Sequence, residues 1–124
     1  MFSTEFASRG YNGRAVVALR GELDMADAAA VEAALTTVAA REPQVIVDLA
    51  GLEFIDSSGL AVLARGRRQA RQAGGDLVLA GPQRRVMLVL AITGLADAFR
   101  VYDTVEEAAR EAGHLRERAL DVAV

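Results

Sequence analysis

Apolar positions recur along this chain in two rhythms, one suited to strands and one to helices. Ala15-Val16-Val17-Ala18-Leu19 is a compact apolar run, and Tyr11-Asn12-Gly13 just before it signals a tight hairpin turn. With Phe2–Ala7 as a short edge strand, this predicts an opening antiparallel hairpin whose second strand covers Arg14–Arg20. Gly21-Glu22-Leu23-Asp24 reads as leaving that strand, and Asp24 or Asp27 as the cap of the next helix. In that helix, Ala26–Ala40, Val31, Leu35 and Val38 fall at i, i+4 and i+7, one stripe facing a core. Past Pro43, Gln44–Leu49 is a near-continuous apolar run, as expected of a strand covered on both faces. A short connection follows, then the apolar pair Phe54-Ile55, then Asp56-Ser57-Ser58-Gly59.

The second half keeps the alternation. Ser57–Ala73 predicts a helix with Leu60, Leu63, Ala70 and Ala73 as its apolar members, interleaved with Arg65, Arg67, Arg68 and Arg71. Gly74-Gly75 stops it, and Asp76–Ala80 is a further strand. After Gly81-Pro82, Arg84–Thr93 predicts a short helix with Val86, Val89 and Leu90 inward, ended by Gly94. Phe99–Tyr102 predicts a last short strand. Thr104-x-x-Glu107 is a capping box opening a helix that buries Val105, Ala108, Ala109 and Ala112. The order ββαβαβαβα needs crossover connections, so the fold class is α/β with a mixed, mainly parallel sheet of four or five strands. One domain over residues 1–113 accounts for these elements, with 114–124 as a tail of unassigned structure.

Composition removes several classes of function. With 124 residues and a net charge of −3, the chain has no general nucleic-acid-binding character. It has no cysteine, which excludes thiolate chemistry, and a single histidine, His114, which excludes a histidine-cluster metal site. No plausible nucleophile–base pair is visible, so an enzyme is not expected, and no cofactor is implied. A phosphate loop of the G-x-x-x-x-G-K type is missing too. The start, Met1-Phe2-Ser3-Thr4-Glu5-Phe6, lacks the basic and apolar regions of a signal peptide. No segment reaches the ~20 apolar residues of a membrane span. A soluble, cytoplasmic protein is the expectation. All 14 basic residues are arginines, read as base composition of the genome. The arginines of the second helix, and Arg84 and Arg85, read first as solvated faces. Met25 and Met87 read as ordinary packing residues.

The chemistry concentrates at Asp56-Ser57-Ser58-Gly59. Two hydroxyls and a carboxylate stand where a helix leaves its first N–H groups unpaired. Such a terminus tolerates added negative charge. Serine there serves as a cap, as a phosphate acceptor, or as both. Gly59, inside the first turn, costs about 1 kcal/mol against alanine. It is retained either to leave room for a partner or to ease packing on the sheet.

These residues resemble the STAS family, and most closely its small single-domain anti-anti-sigma factors. The pieces that carry the resemblance are Leu19-Arg20-Gly21-Glu22-Leu23-Asp24, Val47-Asp48-Leu49 with Phe54-Ile55-Asp56-Ser57-Ser58-Gly59-Leu60, Gly74-Gly75-Asp76-Leu77 and Thr93-Gly94-Leu95. They occur in the family's order between about residues 14 and 112. The resemblance implies an anti-sigma factor antagonist. Its unphosphorylated form would bind an anti-sigma factor with serine kinase activity and free the sigma factor. Phosphorylation would separate the partners, and a serine phosphatase would reset the cycle. By residue match the acceptor is Ser57, with Asp24, Asp56, Ser58 and Gly59 around it in the partner-binding site. The alternative is a STAS subunit of a lipid-transport or stress-sensing complex. The alanine-rich segment Met25–Ala30 offers few side chains for partner specificity, and the arginine-dense helix is not a family signature.

Overall fold

A computed structural model describes residues 5–110. Five strands form one sheet in the order β1-β2-β3-β4-β5: β1 (Glu5–Tyr11), β2 (Arg14–Leu23), β3 (Gln44–Ile55), β4 (Asp76–Ala80) and β5 (Val101–Tyr102). β1 and β2 are antiparallel, and all later pairs are parallel. The helices are α1 (Met25–Arg41), α2 (Ser57–Gln72), α3 (Arg84–Ile92) and α4 (residues 105–110). A 3-10 turn over Leu95–Ala98 was not anticipated.

The hairpin forms where Asn-Gly predicted it. Asn12 and Gly13 both take positive φ, 51° and 76°, and Tyr11 pairs with Arg14 across the two-residue turn. That is the geometry whose twist matches the flanking strands. Its first strand lies later than expected, ending at Tyr11 instead of Ala7, while Phe2–Thr4 fall outside the described residues.

Because each new strand adds on the same side, right-handed crossovers bring α1, α2 and α3 to one face of the sheet. Val31 and Leu35 of α1, Leu60 and Leu63 of α2, and Val86 and Leu90 of α3 meet Val17, Leu19, Val47 and Leu79 there. The opposite face is covered by α4, whose Val105, Ala108 and Ala109 pack on Val16, Ile46 and Val78. Thr104 caps α4 by accepting a hydrogen bond from the Glu107 amide at 3.0 Å. Ala112 lies outside the described residues.

The sequence reading needs correction along β2 and β3. Gly21-Glu22-Leu23 does not leave β2 but continues it, and β3 runs unbroken through Ala50–Glu53. Between the pairs Ala15↔Val45 and Leu23↔Ile55, β2 advances eight residues and β3 advances ten, with two register shifts. Each shift is a bulge that adds one residue to β3. The inward positions after Leu49 are therefore Leu52 and Ile55, spaced by three instead of two, and the alternation that marks a strand is lost. Smaller corrections follow the same strands and helices. Ala73 is exposed, Val89 is half-buried, and Phe99 is buried outside the two-residue β5.

α2 ends in a Schellman motif: the Gly75 amide donates to Ala70 O at 2.8 Å and the Gly74 amide to Arg71 O at 3.1 Å, with Gly74 at φ 94°. A Cβ on Gly75 would lie 2.1 Å from Pro43 O, so the next strand enters the sheet only with glycine there.

Candidate functional site

β2 and β3 end side by side. Leu23 pairs with Ile55, and the next residue of each strand, Asp24 and Asp56, is the N-cap of a helix. The Asp24 carboxylate accepts from the Ala26 amide at 3.0 Å, and the Asp56 carboxylate from the Gly59 amide at 3.0 Å. Asp24, not Asp27, is thus the cap of α1. The Asp56 amide donates to Leu23 O at 3.2 Å, which ties the start of α2 to the end of β2. Two carboxylates and two helix N-termini therefore share one edge of the sheet.

Ser57 is the first residue of α2 and is exposed; Ser58, the second, is half-buried. Capping falls to Asp56, so the Ser57 hydroxyl is not consumed by it. No acidic side chain lies in the first turn of α2 itself. The site combines an accessible hydroxyl, helix amides that have no intrahelical acceptor, and two nearby carboxylates.

Gly59 has a role decided by packing. It is buried, and a Cβ there would lie 2.7 Å from Ile55 Cγ1, 2.8 Å from Leu23 Cγ and 3.0 Å from Leu23 O. Glycine lets α2 seat directly on the ends of β2 and β3. Of the two readings of Gly59, these contacts support packing on the sheet.

Two residues of this edge escaped the sequence reading. Met25 is 76% exposed and Phe54 45% exposed, which corrects the assignment of Met25 to packing. The available signal was phase: Met25 lies six residues before Val31 and off the Val31–Leu35 stripe. Phe54 sits one residue before the inward Ile55, on the side of the strand turned to solvent.

The arginines of α2 divide. Arg65 donates two hydrogen bonds to Glu32 of α1, at 2.9 and 2.8 Å, and Arg67 pairs with Asp76 at 3.1 Å. Hydrogen bonding from Arg65 holds the Glu32 carboxyl below its ordinary pKa and raises that of the guanidinium. Arg68 and Arg71 remain solvent-exposed, as do Arg84 and Arg85. Among the described residues no cluster of three or more His, Asp or Glu could hold a metal ion, and no helix is long and apolar enough to cross a membrane.

The STAS domain family matches residues 5–108, across the whole of this sheet and both capped helices. The chain belongs to the STAS family. Its relatives include the anti-sigma-F factor antagonist RsfB of Mycobacterium tuberculosis strain H37Rv, 34% identical over 101 residues, covering 79% of this chain and 80% of RsfB. The crystal structure of an anti-sigma factor antagonist from Mycobacterium paratuberculosis superposes with a TM-score of 0.74 at 32% identity, covering 88% of this chain and 93% of that one. Unphosphorylated SpoIIAA, also an anti-sigma factor antagonist, superposes with a TM-score of 0.74 at 25% identity, covering 86% and 95%. The STAS fold explains the shared edge: a mainly parallel sheet delivers its strand ends and the following helix N-termini to one side.

Proposed function

We propose that this STAS protein is an anti-sigma factor antagonist whose docking to an anti-sigma factor is switched off by phosphorylation of Ser57. The observation that carries the reading is an exposed serine hydroxyl at the first position of α2, spared from capping by Asp56. The relatives named as antagonists support the class of partner. The docking surface in this reading is Asp24, Asp56, Ser57 and Ser58, with Met25 and Phe54 as flanking apolar contacts. The partner is an anti-sigma factor with serine kinase activity, and a serine phosphatase restores the free hydroxyl. The protein itself acts by binding, in the cytoplasm.

Phosphorylation adds roughly −1.5 to −2 charges and three acceptor oxygens. At a helix N-terminus that charge is favoured by the dipole and the free amides, so the fold survives. The complex does not fare as well. A phosphate in the interface must shed water beside groups that had met a neutral hydroxyl, with Asp24 and Asp56 repelling it. A loss of about 4 kcal/mol is enough to weaken binding about 1,000-fold.

The test is incubation with the anti-sigma kinases of the same genome and ATP, followed by intact mass and site mapping. Phosphate on Ser57, and loss of partner binding by Ser57→Asp with the melting temperature changed by no more than a few degrees, is the expected result. A Ser57→Asp protein that binds as well as the wild type defeats the switch. Absence of phosphate with every kinase favours a subunit of a transport or stress-sensing complex instead.

A further inference from the structure

At the opposite end of the sheet, where the hairpin meets the end of α1, lies a groove of about 280 Å³ lined by Arg9, Arg14, Ala15, Val38, Arg41 and Glu42 among others. Leu23 lies eight positions along β2 from Ala15. At about 3.3 Å per residue the groove is roughly 26 Å from the Ser57 edge. Its charges are lopsided. Three arginines face one glutamate in a chain whose net charge is −3. The Glu42 carboxylate already accepts from the Gln44 amide at 3.0 Å.

Among the described residues none of these arginines is in an ion pair. The two ion pairs found there belong to Arg65 and Arg67. Arg9 lies with its guanidinium 5.5 Å from the Tyr11 ring centroid, a contact with the ring face. Arg14 donates from Nη1 to Asn12 O at 2.9 Å, but its Nε is buried and has no acceptor. Arg41 at the last turn of α1 is explained by the helix dipole; a buried guanidinium N–H without an acceptor is not.

We propose that this groove binds a small polyanion through its oxyanion oxygens, either phosphoryl or carboxylate. Guanidinium groups present forked donors that match such oxygens in pairs. The volume is near the lower end of the roughly 300–1,000 Å³ of small-ligand pockets, which suits a compact group. Ala15 and Val38 line the groove beside the charges and lower the local polarity, which strengthens each charged hydrogen bond. This inference is independent of any role for Ser57.

The experiment is an amide-shift titration of the full chain by NMR, with sodium pyrophosphate in one arm and sodium citrate in the other. Sodium chloride at matched ionic strength is the reference. Saturable shifts at the Gly10, Ala15 and Val38 amides, with Ser57 and Gly59 unmoved, are expected in at least one arm. Saturation by pyrophosphate alone identifies a phosphoryl site, and by citrate alone a carboxylate site. Arg14→Gln and Arg41→Gln should each weaken binding about tenfold or more. Arg41, exposed at a helix end, keeps the test valid should Arg14→Gln misfold. Shifts that never saturate, that sodium chloride reproduces, or that persist unchanged in Arg41→Gln and in any folded Arg14→Gln protein overturn the proposal.

Discussion

The same two strands behave differently at their two ends. Over Ala15–Ala18 and Val45–Asp48, β2 and β3 pair in strict register and β4 continues the ladder from Asp76 to Ala80. Helices cover both faces there, and Val16, Ile46 and Val78 are as buried as Val17, Val45 and Leu79. From Ala18 to Leu23 and from Asp48 to Ile55 the register shifts twice, β4 ends at the first of these pairs, and Arg20, Glu22, Glu53 and Phe54 are exposed. The regular end holds the domain together. The bulged end spends its freedom on position: it aims Leu52 and Ile55 into the core while bringing Asp24 and Asp56 out together. Bulges commonly occur where a strand must re-aim side chains near a site.

Inserting one alanine after Ala50 is the harshest test of this contrast. The bulge there already absorbs one extra residue of β3, so a second turns Leu52 and Ile55 away from the helices. Exposing two such side chains should cost about 5 kcal/mol. The lengthened protein is expected to be unfolded or aggregated by circular dichroism and size exclusion. A wild-type melt would show that this end of β3 takes up an extra residue without loss, and that its register is not what aims Leu52 and Ile55.

Gly59→Val comes next. Its side chain would collide with Ile55, Leu23 and the Leu23 carbonyl, so a loss of about 3 kcal/mol is expected in urea unfolding. A neutral result would mean that α2 lifts off the strand ends without penalty, and would return Gly59 to the list of partner contacts.

Asp56→Ala should cost about 1 kcal/mol, the usual worth of an N-cap. The same change at Asp24 should match it, since both carboxylates cap by one amide at 3.0 Å. A clear inequality between the two, measured by thermal melts, would show that one carboxylate has work beyond capping.

The smallest effect belongs to the Glu32–Arg65 pair, which is solvent-screened and joins α1 to α2. Glu32 titrates below its ordinary pKa when folded. Its contribution is therefore present above the unfolded carboxyl pKa and disappears as pH falls through the lower, folded one. Glu32→Gln should flatten that acid limb slightly in stability-versus-pH measurements and leave neutral-pH stability nearly unchanged. An acid limb identical to wild type would remove the pair from the account.

Much of this was legible before any coordinates. Asn12-Gly13 specified its turn because positive φ at both positions is a local property. Val31 and Leu35 declared the buried face of α1 through helical spacing, and Asp56 declared a cap through its position before Ser57. The strand over Ala50–Glu53 was not legible, because bulges replace the period of two by a period of three that no strand template matches. Met25 looked like packing because the helix was expected to begin at Ala26, so its phase off the Val31–Leu35 stripe did not count.

The local chemistry was thus written in the chain: its turns, its caps, its helix stripes and the serine behind an aspartate. Such features depend on residues a few positions apart, whose backbone geometry is set by their own dihedrals and hydrogen bonds. Only the tertiary structure decided that Gly59 is a packing residue, that Met25 and Phe54 stand open beside Ser57, and that Arg14 has a buried donor without an acceptor. Those outcomes depend on which atoms from distant segments arrive at the same place, and close packing fixes that only when the whole sheet and its helices are assembled.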